Sequence, residues 1–99
     1  MAMELKVEGD ETILVLSGEV DMKSTPDLKK MLGTVETTRN LVVIAEELNY
    51  IDSSGVACLL MAYKTFLPSS STIILRRPND ALLSVLKILK FDSLFTVET

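Results

Sequence analysis

The sequence predicts an α/β domain: a mixed four- to five-stranded sheet with helices packed on it, in the order β-β-α-β-α-β-α-β. Two observations carry this. Short stretches rich in β-branched and aliphatic residues alternate with stretches whose apolar residues recur at helical spacing. One of the former, Leu41 to Ala45 (LVVIA), runs apolar without alternation, as in a central strand covered on both faces.

Each element has its own signal. Thr12 to Gly18 (TILVLSG) follows a polar turn at Gly9-Asp10-Glu11, which makes Met3 to Val7 its expected hairpin partner. Ser24-Thr25-Pro26-Asp27 then combines a capping hydroxyl, a proline at the first helical position and an acid in the first turn. Leu28, Met31, Leu32 and Val35 continue that helix at the right spacing. After LVVIA a second helix opens at Gly55, with Val56, Leu59, Leu60, Tyr63 and Leu67 as its inward stripe and Pro68 as its stop. Thr72 to Arg76 is a further strand, Pro78-Asn79-Asp80 leads into the helix ALLSVLKILK, and Leu94 to Val97 closes the chain as a last extended piece. In that third helix Leu82, Val85, Leu86 and Leu89 form the core stripe, with Leu83 and Ile88 on its flanks as part of a wide buried face.

With 99 residues, 47% of them apolar and 24% charged, the chain fits one compact domain over residues 1–99. No apolar run approaches the ~18 residues that cross a bilayer, and the opening MAMELKVEGD resembles neither a signal peptide nor a basic anchor, so a cytoplasmic location without membrane insertion is expected. A formal net charge of −4 opposes nucleic acid and anionic lipid. Cys58 is the sole cysteine, which leaves no internal disulfide and no metal-ligand spacing. The chain has no histidine, so nucleophile activation by an imidazole is excluded. None of the four glycines forms a phosphate-cradling loop, and no cofactor is expected. Glu46 and Glu47 alternate outward along a strand end and no second acidic cluster closes a Mg²⁺ site, which leaves neither a carboxylate-metal site there nor a receiver-like phosphoacceptor at Asp52 supported, so an enzyme is not expected.

The chemistry concentrates in Tyr50 to Leu60 (YIDSSGVACLL). It leaves a strand and opens a helix, where unpaired N–H groups and the helix dipole favour a capping oxygen or an anion. Taken alone, Asp-Ser-Ser-Gly is a helix cap, with Ser53 favoured as the capping residue over Ser54 and Asp52, and Gly55 tight-turn chemistry. At ~100° per residue, however, Ser54, Cys58, Met61 and Thr65 share the outward side, with Ala57 and Ala62 on its flanks. A solvated face would carry Lys, Glu and Gln. Small and apolar residues there mean either packing against another element or a partner surface beside the serine. A phosphate on Ser54 would add about −1.5 to −2 charges next to that surface while the helix terminus tolerates it.

Three stretches, GEVD at Gly18 to Asp21, NYIDSSGVACLL at Asn49 to Leu60 and FDSLFTVE at Phe91 to Glu98, together resemble the STAS domain, and within it the bacterial anti-sigma-factor antagonists, over essentially the whole chain. The resemblance implies a partner-switching protein in transcription regulation: unphosphorylated, it binds an anti-sigma factor that is also a serine kinase; phosphorylated, it lets go; a phosphatase restores it. By position, Ser54 matches the phosphoacceptor, Asp52 and Ser53 frame it, and Asp21 is a loop acid near it on the kinase-binding surface, with Gly55, Cys58 and Met61 completing the expected partner-binding set. The family often carries Asp or Asn where this chain has Ile44. Similar domains also serve stressosome-type assemblies and phospholipid-transport ABC systems, so a constitutive interaction subunit is the alternative.

Overall fold

The computed structural model describes residues 1–98; Thr99, the last residue of the expected domain, lies outside the described residues. The strands are β1 (Ala2–Glu8), β2 (Glu11–Val20), β3 (Asn40–Ile51), β4 (Ile73–Arg76) and β5 (Thr96–Glu98), and the helices are α1 (Thr25–Leu32), α2 (Ser53–Phe66) and α3 (Asp80–Ile88). Their order is the expected β-β-α-β-α-β-α-β. One five-stranded sheet runs β1-β2-β3-β4-β5, with β1 antiparallel to β2 and every other pair parallel.

This order explains where the helices lie. Each of the three crossovers steps to the next strand in one direction, and right-handed crossovers that never reverse direction leave all their helices on one face. The core follows: Leu14, Leu16, Leu41, Val43 and Leu75 of the sheet pack with Leu28 of α1, Val56, Leu59 and Phe66 of α2, and Leu82 and Leu86 of α3. The opposite face carries a separate small cluster, Ile13, Val42 and Ile74, against which Val15 and Ile44 pack. The expectation that β3 is covered on both faces is thus corrected. Helices cover one face, and on the other Val42 is buried among neighbouring strand side chains alone. Ile44 belongs to this helix-free face, paired with Val15 and Arg76.

Two local features exceed the sequence reading. β3 runs six residues past Ala45, to Ile51. Its register against β2 shifts between Val15 and Ser17 and again between Gly18 and Glu19. Each shift inserts an extra residue into β3, so Leu48 and Ile51, three positions apart, both reach the core in place of strict alternation. α1, in turn, ends at Leu32, so Val35 packs on the core from beyond the helix. Its Ser24 does not cap it: the hydroxyl bonds instead to Asp21 and to the Glu19 carbonyl. At α3 the side chain of Asn79 accepts from the Leu82 N–H, and its amide donates to the Leu48 carbonyl, tying the helix start to the extended end of β3. Ile88 is 78% exposed and Leu89 lies beyond the helix, exposed, so the buried face of α3 is narrower than its sequence suggests.

Candidate functional site

β2 and β3 are parallel and paired at Val20 and Ile51, so the residues that follow, Asp21 and Asp52, leave the sheet side by side at its C-terminal edge. This is the edge at which open α/β sheets place their functional loops. A hydrogen bond from the Asp52 N–H to the Val20 carbonyl, 3.1 Å, joins the two exits.

Asp52, not Ser53, caps α2. Its Oδ1 accepts from the Ser54 N–H at 2.9 Å, the Gly55 N–H at 3.1 Å and the Ser54 hydroxyl at 2.5 Å. The reason is geometric: Asp52 is the residue in extended conformation just before the first helical turn, with a carboxylate of the length that reaches back to those amides. Ser53 is left as the first helical residue with its side chain exposed. The three bonds, the Ser54 hydroxyl foremost, hold the Asp52 carboxyl below its ordinary value of 3.8 against the opposing effect of desolvation. A carboxyl lowered by folding stabilises the fold above its unfolded value and loses that contribution as pH falls through the folded one. Asp52→Asn is therefore expected to flatten the acid limb of a plot of Tm against pH below 3.8 and to leave its shape near neutrality unchanged.

Gly55 is buried for want of room. A Cβ there would sit 2.6 Å from Ile51 Cγ1 and 2.7 Å from Val20 Cγ1, so glycine lets the start of α2 rest directly on the ends of β2 and β3. Its place in the expected partner-binding set is corrected accordingly: it seats the loop and presents no side chain.

Cys58 is corrected as well. Expected on the outward side, it is fully buried, its thiol 4.0 Å from the Thr25 carbonyl of α1. Burial pushes that thiol above its ordinary value, the opposite of what a reactive cysteine needs. The centre of the inward face of α2 is turned by roughly 90° from that of the expected stripe, toward α1. Val56 and Leu59 of that stripe are buried as expected, but they are joined by Gly55, Cys58, Ala62 and Phe66, whereas Leu67 is 58% exposed and Leu60 and Tyr63 are only half-buried. The helix touches α1 as well as the sheet, and the small residues Gly55, Cys58 and Ala62 mark its close-packed side. Small side chains at positions three and four apart were the available sign.

The outward face that remains carries Ser53, Ala57, Met61 and Lys64, with Ser54 half-buried at its edge. Met61 is 52% exposed and borders a cavity of about 140 Å³ between α1 and α2, lined also by Lys29, Leu32 and Val35. Asp21 is held in its own turn, its Oδ1 accepting from the Lys23 N–H, the Ser24 N–H and the Ser24 hydroxyl. Two large exposed residues that sequence reading did not single out lie at the same edge: Met22, 78% exposed, follows Asp21, and Tyr50, 50% exposed, lies near the end of β3, two residues before Asp52. For Met22, a large apolar side chain within an otherwise polar turn was the signal.

Among the described residues no three His, Cys, Asp or Glu side chains gather as a metal site would, and no helix is long and apolar enough to cross a membrane. The arrangement is a surface with the Ser53 and Ser54 hydroxyls at the start of α2, the carboxylates of Asp21 and Asp52 in hydrogen-bonded turns, and Ala57 and Met61 exposed beside them.

A family model described as "Mlab, STAS domain" matches residues 3–97, and the chain belongs to this STAS-domain family. Among solved structures it is similar to the Bacillus anti-sigma factor antagonist SpoIIAA in its unphosphorylated form, with a TM-score of 0.84 and 20% identity over 99% of this chain and 89% of that one. It is similar likewise to an anti-sigma factor antagonist from Mycobacterium paratuberculosis, with a TM-score of 0.86 and 18% identity over 98% and 84% of the two chains. The STAS domain of a SulP transporter from Vibrio cholerae matches with a TM-score of 0.70 and 13% identity over 95% and 77%. At these identities the shared property is the fold.

Proposed function

We propose that this STAS domain is a phospho-regulated anti-sigma-factor antagonist. With Ser54 unmodified it binds, in the cytoplasm, an anti-sigma factor that is also a serine kinase; with Ser54 phosphorylated it releases that partner, and a phosphatase resets it. Asp21, Asp52, Ser53, Ser54 and Met61 lie within or beside the contact surface. Ser54 supplies the switch, and the transfer chemistry belongs to the partner.

The observation that carries this reading is the position of the Ser54 hydroxyl. It stands half-buried at the first turn of α2, between the exposed Ser53 and Met61, on the edge where β2 and β3 deliver both loop acids. A phosphate there adds about −1.5 to −2 charges to a surface whose neighbours are small and apolar. A partner seated on that surface would bury the charge unpaired, which weakens binding strongly. The fold shared with SpoIIAA, a protein solved in both phosphorylated and unphosphorylated form, supports the same reading.

A second reading, a constitutive subunit of a transport system, is favoured by Ile88, an isoleucine 78% exposed on α3 with the exposed Leu89 beside it, and by the likeness to a transporter's STAS domain. Co-purification of the tagged protein from its native host separates the two. The first reading expects an ATP-binding anti-sigma factor that is released from the Ser54→Asp variant. Recovery of an integral permease by wild type and variant alike would overturn it.

A further inference from the structure

One carboxylate oxygen serves three donors. Asp52 Oδ1 accepts both first-turn amides of α2, from Ser54 and Gly55, and also the hydroxyl of Ser54. Neither Asp52 nor Asp21 forms an ion pair with a basic side chain among the described residues. The hydroxyl proton is thus the link that lets Ser54 Oγ and the Asp52 carboxylate stand 2.5 Å apart.

We infer that a phosphate on Ser54 and the capping of α2 by Asp52 are mutually exclusive, so that Asp52 is the positioning residue through which phosphorylation acts on the loop. This inference rests on the reading of Ser54 as a phosphoacceptor. Phosphoryl transfer from ATP breaks the Oγ–H bond and forms an Oγ–P bond, yielding ADP and a released proton. Oγ then has nothing left to donate. Two acceptors face each other where one hydrogen bond had been, and a near-dianion stands beside a carboxylate with no cation paired to either.

The first-turn amides decide between them. A phosphate offers three strong acceptor oxygens and more charge than a carboxylate, and the positive end of a helix favours the greater negative charge. The phosphate takes the Ser54 and Gly55 N–H groups, and Asp52 swings out. Phosphorylation therefore does more than add its own charge: it also frees Asp52 Oδ1, the oxygen that the unmodified protein keeps occupied by three hydrogen bonds. A partner docking on this edge meets both.

The test is a thermodynamic cycle on the full chain, with phosphoserine installed at position 54 by genetic encoding so that no kinase is needed. In the unmodified protein Asp52→Ala removes the cap and should lower Tm by about 4–8 °C. In the phosphorylated protein the same substitution should leave Tm unchanged or raise it, because the phosphate already caps the helix and a like charge has gone. An equal fall in both backgrounds would overturn the inference. Asp52→Asn, which keeps the shape and an acceptor oxygen, guards against misfolding of the alanine variant and should likewise raise Tm only in the phosphorylated protein. A second readout is the carboxyl ¹³C titration of Asp52. Its midpoint should rise on phosphorylation, as the bonds that depress it are lost; an unmoved midpoint would show that Asp52 stays on the helix and would refute the coupling. Absence of a kinase in the cell would defeat the proposed function while leaving both measurements intact.

Discussion

Under the proposed function, Ser54→Asp is expected to weaken binding to the anti-sigma partner by about 30-fold to more than 1,000-fold, while Ser54→Ala binds within a few-fold of wild type. The size follows from the penalty of leaving a charge buried and unpaired in an interface, about 2–5 kcal/mol, at a factor of ten for each 1.4 kcal/mol. Ser54 is half-buried at the first turn of α2 with Ala57 and Met61 exposed along the same side of the helix, so an added carboxylate sits among uncharged side chains on the surface a partner would cover. Alanine removes the Ser54 hydroxyl and its bond to Asp52 Oδ1, but both amide bonds of the cap remain. Titration calorimetry with the purified partner reads the two variants directly. Equal affinities would mean that the serine stands outside the contact.

Gly55→Val is expected to destabilise the fold by about 3 kcal/mol, lowering Tm by about 12–24 °C. The position is helical and carries no strained backbone angle, so a side chain there gains a fraction of a kcal/mol in helix propensity. Sterics outweigh that gain. The first added carbon would lie 2.6 Å from Ile51 Cγ1 and 2.7 Å from Val20 Cγ1, both side chains being buried in the core, and the branched side chain requires α2 to lift from the strand ends. Lifting it stretches the Gly55 N–H bond to Asp52, so fold and cap suffer together. Thermal melts should show partial rescue of Gly55→Ala by Ile51→Ala, since the contacting atoms are then removed; simple additivity of the two would refute the packing account.

How much of this was legible in the sequence depended on how local the cause was. The strands and helices were, because each is set by its own apolar pattern and punctuation: Pro26 and Asp27 opening α1, the Gly9 turn, with φ +57, joining β1 to β2, and Asn79 before α3. The DSSG loop was legible for the same reason. What the pattern concealed was set by neighbours in space. The burial of Cys58 depends on α1 crossing beside α2, and the bulged end of β3 depends on how β2 pairs with it. The exchange of capping roles between Ser53 and Asp52 turns on a reach of one residue, which composition alone leaves open between two good capping residues. Ile44 shows the same limit from another side: its neighbours on the helix-free face, Ile13, Val42 and Ile74, come from three strands.

The central claim is that the Ser54 hydroxyl receives a phosphate, and intact-mass spectrometry tests it most directly. The purified protein and its Ser54→Ala variant are incubated with ATP and lysate of the native host, in which kinase activity has been verified on a control substrate. The gain of a single phosphate by the wild type, absent from the variant, is the predicted result. If neither protein gains a phosphate, or both do, Ser54 is not the acceptor and the Asp52–Ser54 pair is a helix cap on a constitutive binding domain.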